Sequence, residues 1–235
     1  MLLVHTSSYS DKLRLAEHGV GYALDILHNN VNVVEIVDNS DKICRSYTGL
    51  HDANRLVTKC RGFLFEQTIV PKLKPYLDGT QDIIFAGGNA RNCLMFSIFS
   101  ILAAKTFGES PTITDLFKEY DPYHVWAVDM IKKGRSMIDN GPKLRLHLIA
   151  DAIYCNIIDV RQYGKDLIQN NITANMILLP KLYRQLLEQC GLNIYEYVDG
   201  LQSPGMISKG KDGSIIVELH YWPNSERVAE FLTDN

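Results

Sequence analysis

A chain of 235 residues, 46% of them hydrophobic and 22% charged, with a formal net charge of -3, has ample apolar surface to bury and no charge imbalance to coat a nucleic acid. This excludes disorder, collagen-like repeats and a polybasic binding surface. At this length a single core, or a core with a smaller addition, is stable without disulfide or metal staples, so neither a metal nor a cofactor is expected.

Taken in chain order, Leu2 to His5 and Val31 to Val37 read as strands flanking a helix over Ser10 to Leu27, a small mixed α/β region. Loop chemistry at Lys72-Leu73-Lys74-Pro75 and Gly79-Thr80 sets a boundary near residue 80. The expected organisation is therefore an N-terminal α/β extension over 1–80, suited to substrate binding, and a core over 81–235. Asp82 to Ala86 is a short strand running into Gly87-Gly88-Asn89, and Cys93 to Phe107 is an apolar helix that stops at Gly108. Pro111-Thr112-Ile113-Thr114 starts another helix, and Pro122 to Ile138 makes the next. Lys143 to Val160 and Thr173 to Cys190 are two more, the second capped by Thr173 and interrupted or kinked at Pro180. After Gly191 the pattern turns β-rich over Asn193 to Val198, Met206 to Ser208 and Ser214 to Trp222, with a hairpin turn at Lys211-Asp212-Gly213.

Several functions are set aside by absent patterns. The opening MLLVHTSSYS has no basic lead-in and only a short apolar run, so it does not read as a signal peptide. The longest apolar run, Cys93 to Ala104, falls well short of the roughly 20 residues that cross a bilayer as a helix. No membrane association is expected. The cysteines, Cys44, Cys60, Cys93, Cys155 and Cys190, are odd in number, widely spaced and free of any CxxC pair. They read as reduced thiols of a cytoplasmic protein, not as a disulfide framework or a structural zinc site. Gly87-Gly88 lacks the Lys-Ser/Thr of a phosphate loop and the full GxGxxG of a dinucleotide site. With pI ≈ 6.2 and scattered basic residues, no nucleic-acid partner is expected.

The chemistry concentrates in two segments. Cys93 stands where a Gly-rich turn passes into a helix, in Gly87-Gly88-Asn89-Ala90-Arg91-Asn92-Cys93-Leu94-Met95-Phe96-Ser97-Ile98. Free N–H groups and the positive end of the helix dipole lower a thiol pKa there, and the same N–H groups can hold an oxyanion. His220 lies in the apolar run Ile215-Ile216-Val217-Glu218-Leu219-His220-Tyr221-Trp222, where an imidazole must find a polar partner. Beside a cysteine it would take the thiol proton and hold the thiolate. The other six histidines, His147 among them, are read as surface or satisfied core groups.

Asn92-Cys93-Leu94-Met95-Phe96-Ser97-Ile98 resembles the nucleophile segment of the ovarian-tumour (OTU) cysteine proteases, and Leu219-His220-Tyr221-Trp222 resembles that family's histidine strand. The resemblance spans roughly residues 82 to 225 and implies an α+β fold, a papain-like OTU-type core with a small mixed β-sheet packed against several helices. It implies a thiol hydrolase, a deubiquitinase, cleaving the (iso)peptide bond after the C-terminal tail of ubiquitin or a ubiquitin-like modifier. Cys93 would be the nucleophile and His220 the base, with Asn89, Ala90, Arg91 and Asn92 forming the oxyanion loop and Tyr221 and Trp222 contacting substrate. The family's imidazole-orienting residue falls two positions after the histidine, where Trp222 stands, so Asn224 is the expected substitute. Two further readings go with the resemblance: an autoprocessing viral or effector protease of a larger polyprotein, acting in a host cytosol, and a catalytically inactive ubiquitin-binding module.

Overall fold

Short runs rich in Val, Ile and Leu, continuously apolar in Leu2-Leu3-Val4 and Ile83-Ile84-Phe85-Ala86, build a sheet that is covered on both faces. In the computed structural model the described residues are 1–6, 14–38, 54–58, 72–73, 75–88, 90, 94, 98, 101, 144–153, 167–189, 193–196, 205–209 and 215–234. The strands are β1 (Leu2–Thr6), β2 (Val33–Asp38), β3 (Asn54–Thr58), β4 (Asp82–Gly87), β5 (Leu144–Ile149), β6 (Ile194–Glu196), β7 (Gly205–Lys209) and β8 (Ile215–Trp222). They form one sheet in the order β3-β2-β1-β4-β5-β8-β7-β6. Every pairing from β3 across to β8 is parallel. β7 and β6 extend the sheet antiparallel to β8 and to each other.

Two hydrophobic layers hold the sheet. In the first, Leu3, Ile83, Phe85, Leu146, Leu148, Leu219 and Tyr221 meet the long helix α2 (Leu167–Gln189) through Leu179, Tyr183 and Leu187, together with Ala90, Leu94, Ile98 and Ile101. In the second, Leu2, Val4, Ile84, Ala86, Ile149 and Trp222 meet Val20, Ala23, Leu24 and Leu27 of α1 (Arg14–Leu27) and Val228 and Phe231 of α3 (Ser225–Asp234). A Cβ on Gly19 would collide with the Asp151 backbone, so glycine is what lets α1 lie directly on the turn after β5. From β1 the sheet grows through β2 to β3 on one side, and from β4 through β5 to β8 on the other. Strand order therefore reverses between β1 and β4, the pattern of a doubly wound sheet.

The mixed α/β character agrees with the sequence, but the sheet is larger and mostly parallel where a small mixed one was expected. It also runs without interruption across residue 80, because β1 lies between β2 and β4. The helix expected over Lys143 to Val160 is corrected. Leu144, Leu146 and Leu148 alternate with Arg145 and His147, a period of two, and form β5 followed by a 3-10 turn at Ala150–Ala152. Thr173 lies inside α2 and does not cap it, and the helix runs unbroken through Pro180. The helices expected around residues 111–138 lie outside the described residues.

Candidate functional site

β4 ends in Gly87 and Gly88, at φ 78° and 76°, consecutive left-handed conformations that glycine adopts without a Cβ clash. They turn the chain off the sheet at the carboxyl end of the strand, beside β1, since Gly87 is the register partner of His5. In open parallel sheets the crevice at a reversal of strand order, outside the carboxyl ends, is where ligands bind. Ala90 follows, fully buried, and its carbonyl accepts a 2.7 Å hydrogen bond from the Tyr183 hydroxyl on α2. Leu94, Ile98 and Ile101 are helical and continue in the same layer, spaced to face the sheet. A helix after the Gly87-Gly88 turn is thus as expected, while Cys93, Asn89, Arg91 and Asn92, like the other four cysteines, lie outside the described residues.

α2 ties down a second carboxyl end. Asn175 donates to the carbonyls of Ala150 at 2.8 Å and Ile153 at 2.6 Å, just past β5. Asn175, Leu179, Tyr183 and Leu187 recur every four residues, so one helix face carries both clamps and the apolar contacts between them.

His220 is in the other layer. On β8 the odd positions Leu219 and Tyr221 enter the α2 layer, and Glu218, His220 and Trp222 enter the layer of α1 and α3. The imidazole is fully buried, and its Nε2 lies 3.1 Å from the Glu218 carboxylate. Its ring stacks on that of His147, the residue beside it in register on β5, with centroids 4.9 Å apart. Phe231 of α3 sits over His147, His220 and Trp222 at centroid distances of 5.5, 5.3 and 5.4 Å.

The donors fix the state of His147. Indole N–H can only donate, and Trp222 Nε1 lies 3.0 Å from His147 Nδ1, so that nitrogen holds the lone pair. Nε2 then carries the proton and donates to Asp82 at 2.9 Å, while Arg145 holds the other oxygen of that carboxylate at 2.6 Å. Burial pushes the His147 pKa down to about 4, opposed by Asp82 and reinforced by the charges of His220 and Arg145. For Asp82, burial pushes up, but the bonds and charges of His147 and Arg145 outweigh it and leave the carboxyl below its usual value.

Several expected site residues are therefore corrected. Asn224 caps α3, its side-chain oxygen accepting the Arg227 N–H at 3.3 Å, and among the described residues the carboxylate on His220 is that of Glu218. Tyr221 and Trp222 are buried in opposite layers and offer no surface to substrate. Of the expected oxyanion loop only Ala90 is described, and the hydrogen bond it makes there is through its carbonyl, which leaves its expected N–H role untouched. The residues on either side of Cys93, Ala90 and Leu94, pack on the face of the sheet opposite His220. The network of Asp82, Arg145, His147 and Glu218 was missed. Its signal was present in the alternation Leu144-Arg145-Leu146-His147-Leu148, where two polar side chains share one strand face with no solvent pattern to explain them.

No protein-family model matches the chain, and no curated protein does. A solved structure, the MAR1 ribonuclease from Caenorhabditis elegans, is similar at a TM-score of 0.36 and 13% identity, over 85% of this chain and 95% of that one. A likeness at that level fixes neither fold nor activity. Among the described residues no helix is long and apolar enough to cross a membrane, and no group of three or more His, Cys, Asp and Glu could hold a metal ion.

Proposed function

We propose that the chain is a thiol-dependent hydrolase with Cys93 as its nucleophile. The observation that carries this is the Gly87-Gly88 turn, which ends β4 at the reversal of strand order and leads through buried Ala90 into the segment bearing Cys93. A thiol at a helix start is activated by the free N–H groups and the dipole, and the carboxyl ends of strands beside a reversal of strand order are where ligands bind in such sheets. The substrate class, the (iso)peptide bond after a ubiquitin-like tail, is supported by the OTU resemblance alone. An OTU-type core with His220 as base draws no support from the geometry, because His220 serves the interior network on the other face.

The burial of His220 favours a second reading, a binding module without catalysis. One experiment separates the two: incubation of the full chain with ubiquitin propargylamide, followed by mass-spectrometric mapping. An adduct on Cys93, absent in Cys93→Ala, supports the hydrolase. Retained ubiquitin binding with no adduct supports the module, and neither binding nor adduct removes ubiquitin as the substrate class.

A further inference from the structure

His147 keeps a lone pair at the one place where acid would put a proton. We propose that α3 is an acid-opened latch, seated on the sheet while His147 Nδ1 accepts the Trp222 indole N–H and released when that nitrogen is protonated. The device does not depend on the role of Cys93. Because Nε2 already donates to Asp82, a second proton can enter the ring only at Nδ1. It would then face the indole N–H across 3.0 Å, two donors and no acceptor, so the Trp222 bond is lost. The new charge would also lie inside an aromatic stack, with the His220 ring centroid 4.9 Å away and that of Phe231 5.5 Å away. Among the charged groups facing His147, Asp82 from β4 favours the proton, while Arg145 on β5 and His220 from β8 oppose it. Glu218 on β8 is taken up by His220. The residues that α1 brings to this layer are apolar, and Glu226, Arg227, Glu230 and Asp234 of α3 are exposed. Burial therefore decides, and the imidazolium gains water only if Phe231 lifts away.

α3 is the element built to give way. It follows Trp222 after only Pro223 and Asn224, so a displaced indole acts directly on the start of the helix. Its buried residues are Ser225, Val228 and Phe231. The Ser225 hydroxyl has no hydrogen-bond partner among the described residues, a cost of the closed seat that water removes on opening. The tie to α1, from the Tyr22 hydroxyl to Glu226, is exposed and holds the helix weakly. By contrast β4, β5 and β8 are hydrogen-bonded neighbours in the middle of the sheet and are packed on both faces. Release of α3 uncovers Trp222 together with the apolar face that carries Val228 and Phe231.

The test is amide exchange of the full chain from neutrality to about pH 4, corrected for the intrinsic pH dependence of exchange. The open form binds the proton at the ordinary value of 6.5 and the closed form at about 4, so acid favours the open form. The opening constant of α3 should rise about 300-fold across that interval, while β4 and β5 amides stay far slower at every pH. His147→Gln presents a donor and an acceptor without titrating, and its α3 exchange should lose most of this dependence. Placing β-(3-benzothienyl)alanine at position 222 keeps the shape of the indole without its N–H. It should raise the pH at which His147 titrates, read from the imidazole nitrogen shifts. Exchange of α3 and β5 at one common rate, the mark of global unfolding, overturns the latch. So does α3 exchange that ignores pH in wild type or keeps the full dependence in His147→Gln. Should His147→Gln fail to fold, the benzothienyl chain decides, and an unmoved His147 titration there overturns the part given to Trp222.

Discussion

On the α2 face of the sheet the described polar contacts sit at the carboxyl ends of the strands and reach backbone carbonyls: Tyr183 on Ala90, Asn175 on Ala150 and Ile153. On the α1 and α3 face they are side chain to side chain, run through the body of β4, β5 and β8, and are roofed by Phe231. The first arrangement holds in place the turns that follow β4 and β5. The second consumes two histidines, two carboxylates and an indole in satisfying one another. A buried imidazole is thus not by itself a sign of catalysis; what matters is whether its partners leave it anything to do.

If that division is right, removing Cys93 and removing His220 have opposite signatures. Cys93→Ala should cut turnover by several orders of magnitude and leave the urea midpoint near wild type. His220→Ala removes a buried ring stacked against His147, Trp222 and Phe231 together with its hydrogen bond to Glu218, so a loss of about 3 to 5 kcal/mol is expected. Its folded fraction should still alkylate at Cys93 with the wild-type pH profile. A stable His220→Ala chain with a dead thiol would put the imidazole back in the active site and dissolve the contrast between the faces.

Acid provides the next, slightly smaller effect. In the folded chain burial holds His147 near a pKa of about 4, against 6.5 for the ordinary group. The unfolded chain therefore takes up this proton first as pH falls. The stability tied to neutral His147 is fully present above about 6.5 and is lost progressively toward about 4, a sum of about 3 kcal/mol. Asp82, held below its usual value, adds to the loss at the acid end. Urea midpoints from neutrality to about pH 4 check this. Replacing His147 by Gln should flatten the upper part of the curve, and a midpoint unchanged over that range would mean that the network does not depend on a neutral imidazole.

How far these features could be read in advance follows from whether they are local. The Gly87-Gly88 turn, the helix after it and the β7 to β8 pairing depend on nearby residues, and were legible. β5 was mistaken for a helix because its leucines suit either state, although Arg145 and His147 fall on a period of two. β3, with Asn54 and Arg55 at its start, carries no strong strand pattern and was not anticipated. Nor was α3, since no element was assigned to the residues after Trp222. Which face His220 would take was beyond local reading. It depends on which layer receives each parity of β8, and that is settled by the parallel register with β5, a pairing between segments about seventy residues apart.

Asn224 gives the smallest and most discriminating effect. As an orienter of His220 its loss would slow catalysis and alter the pH dependence. As the N-cap of α3, accepting the Arg227 N–H, it should contribute only the usual cap stabilisation. Asn224→Ala is then expected to cost about 1 kcal/mol, with Asn224→Asp close to neutral because aspartate caps equally well and favours the positive end of the helix. Turnover and the alkylation profile should be unchanged in both. α3 carries Phe231 onto the histidine rings, so a weaker cap should register as a modestly lower urea midpoint and faster amide exchange in α3. A slowed reaction at unchanged stability would instead tie Asn224 to the chemistry, and with it the α1 and α3 face.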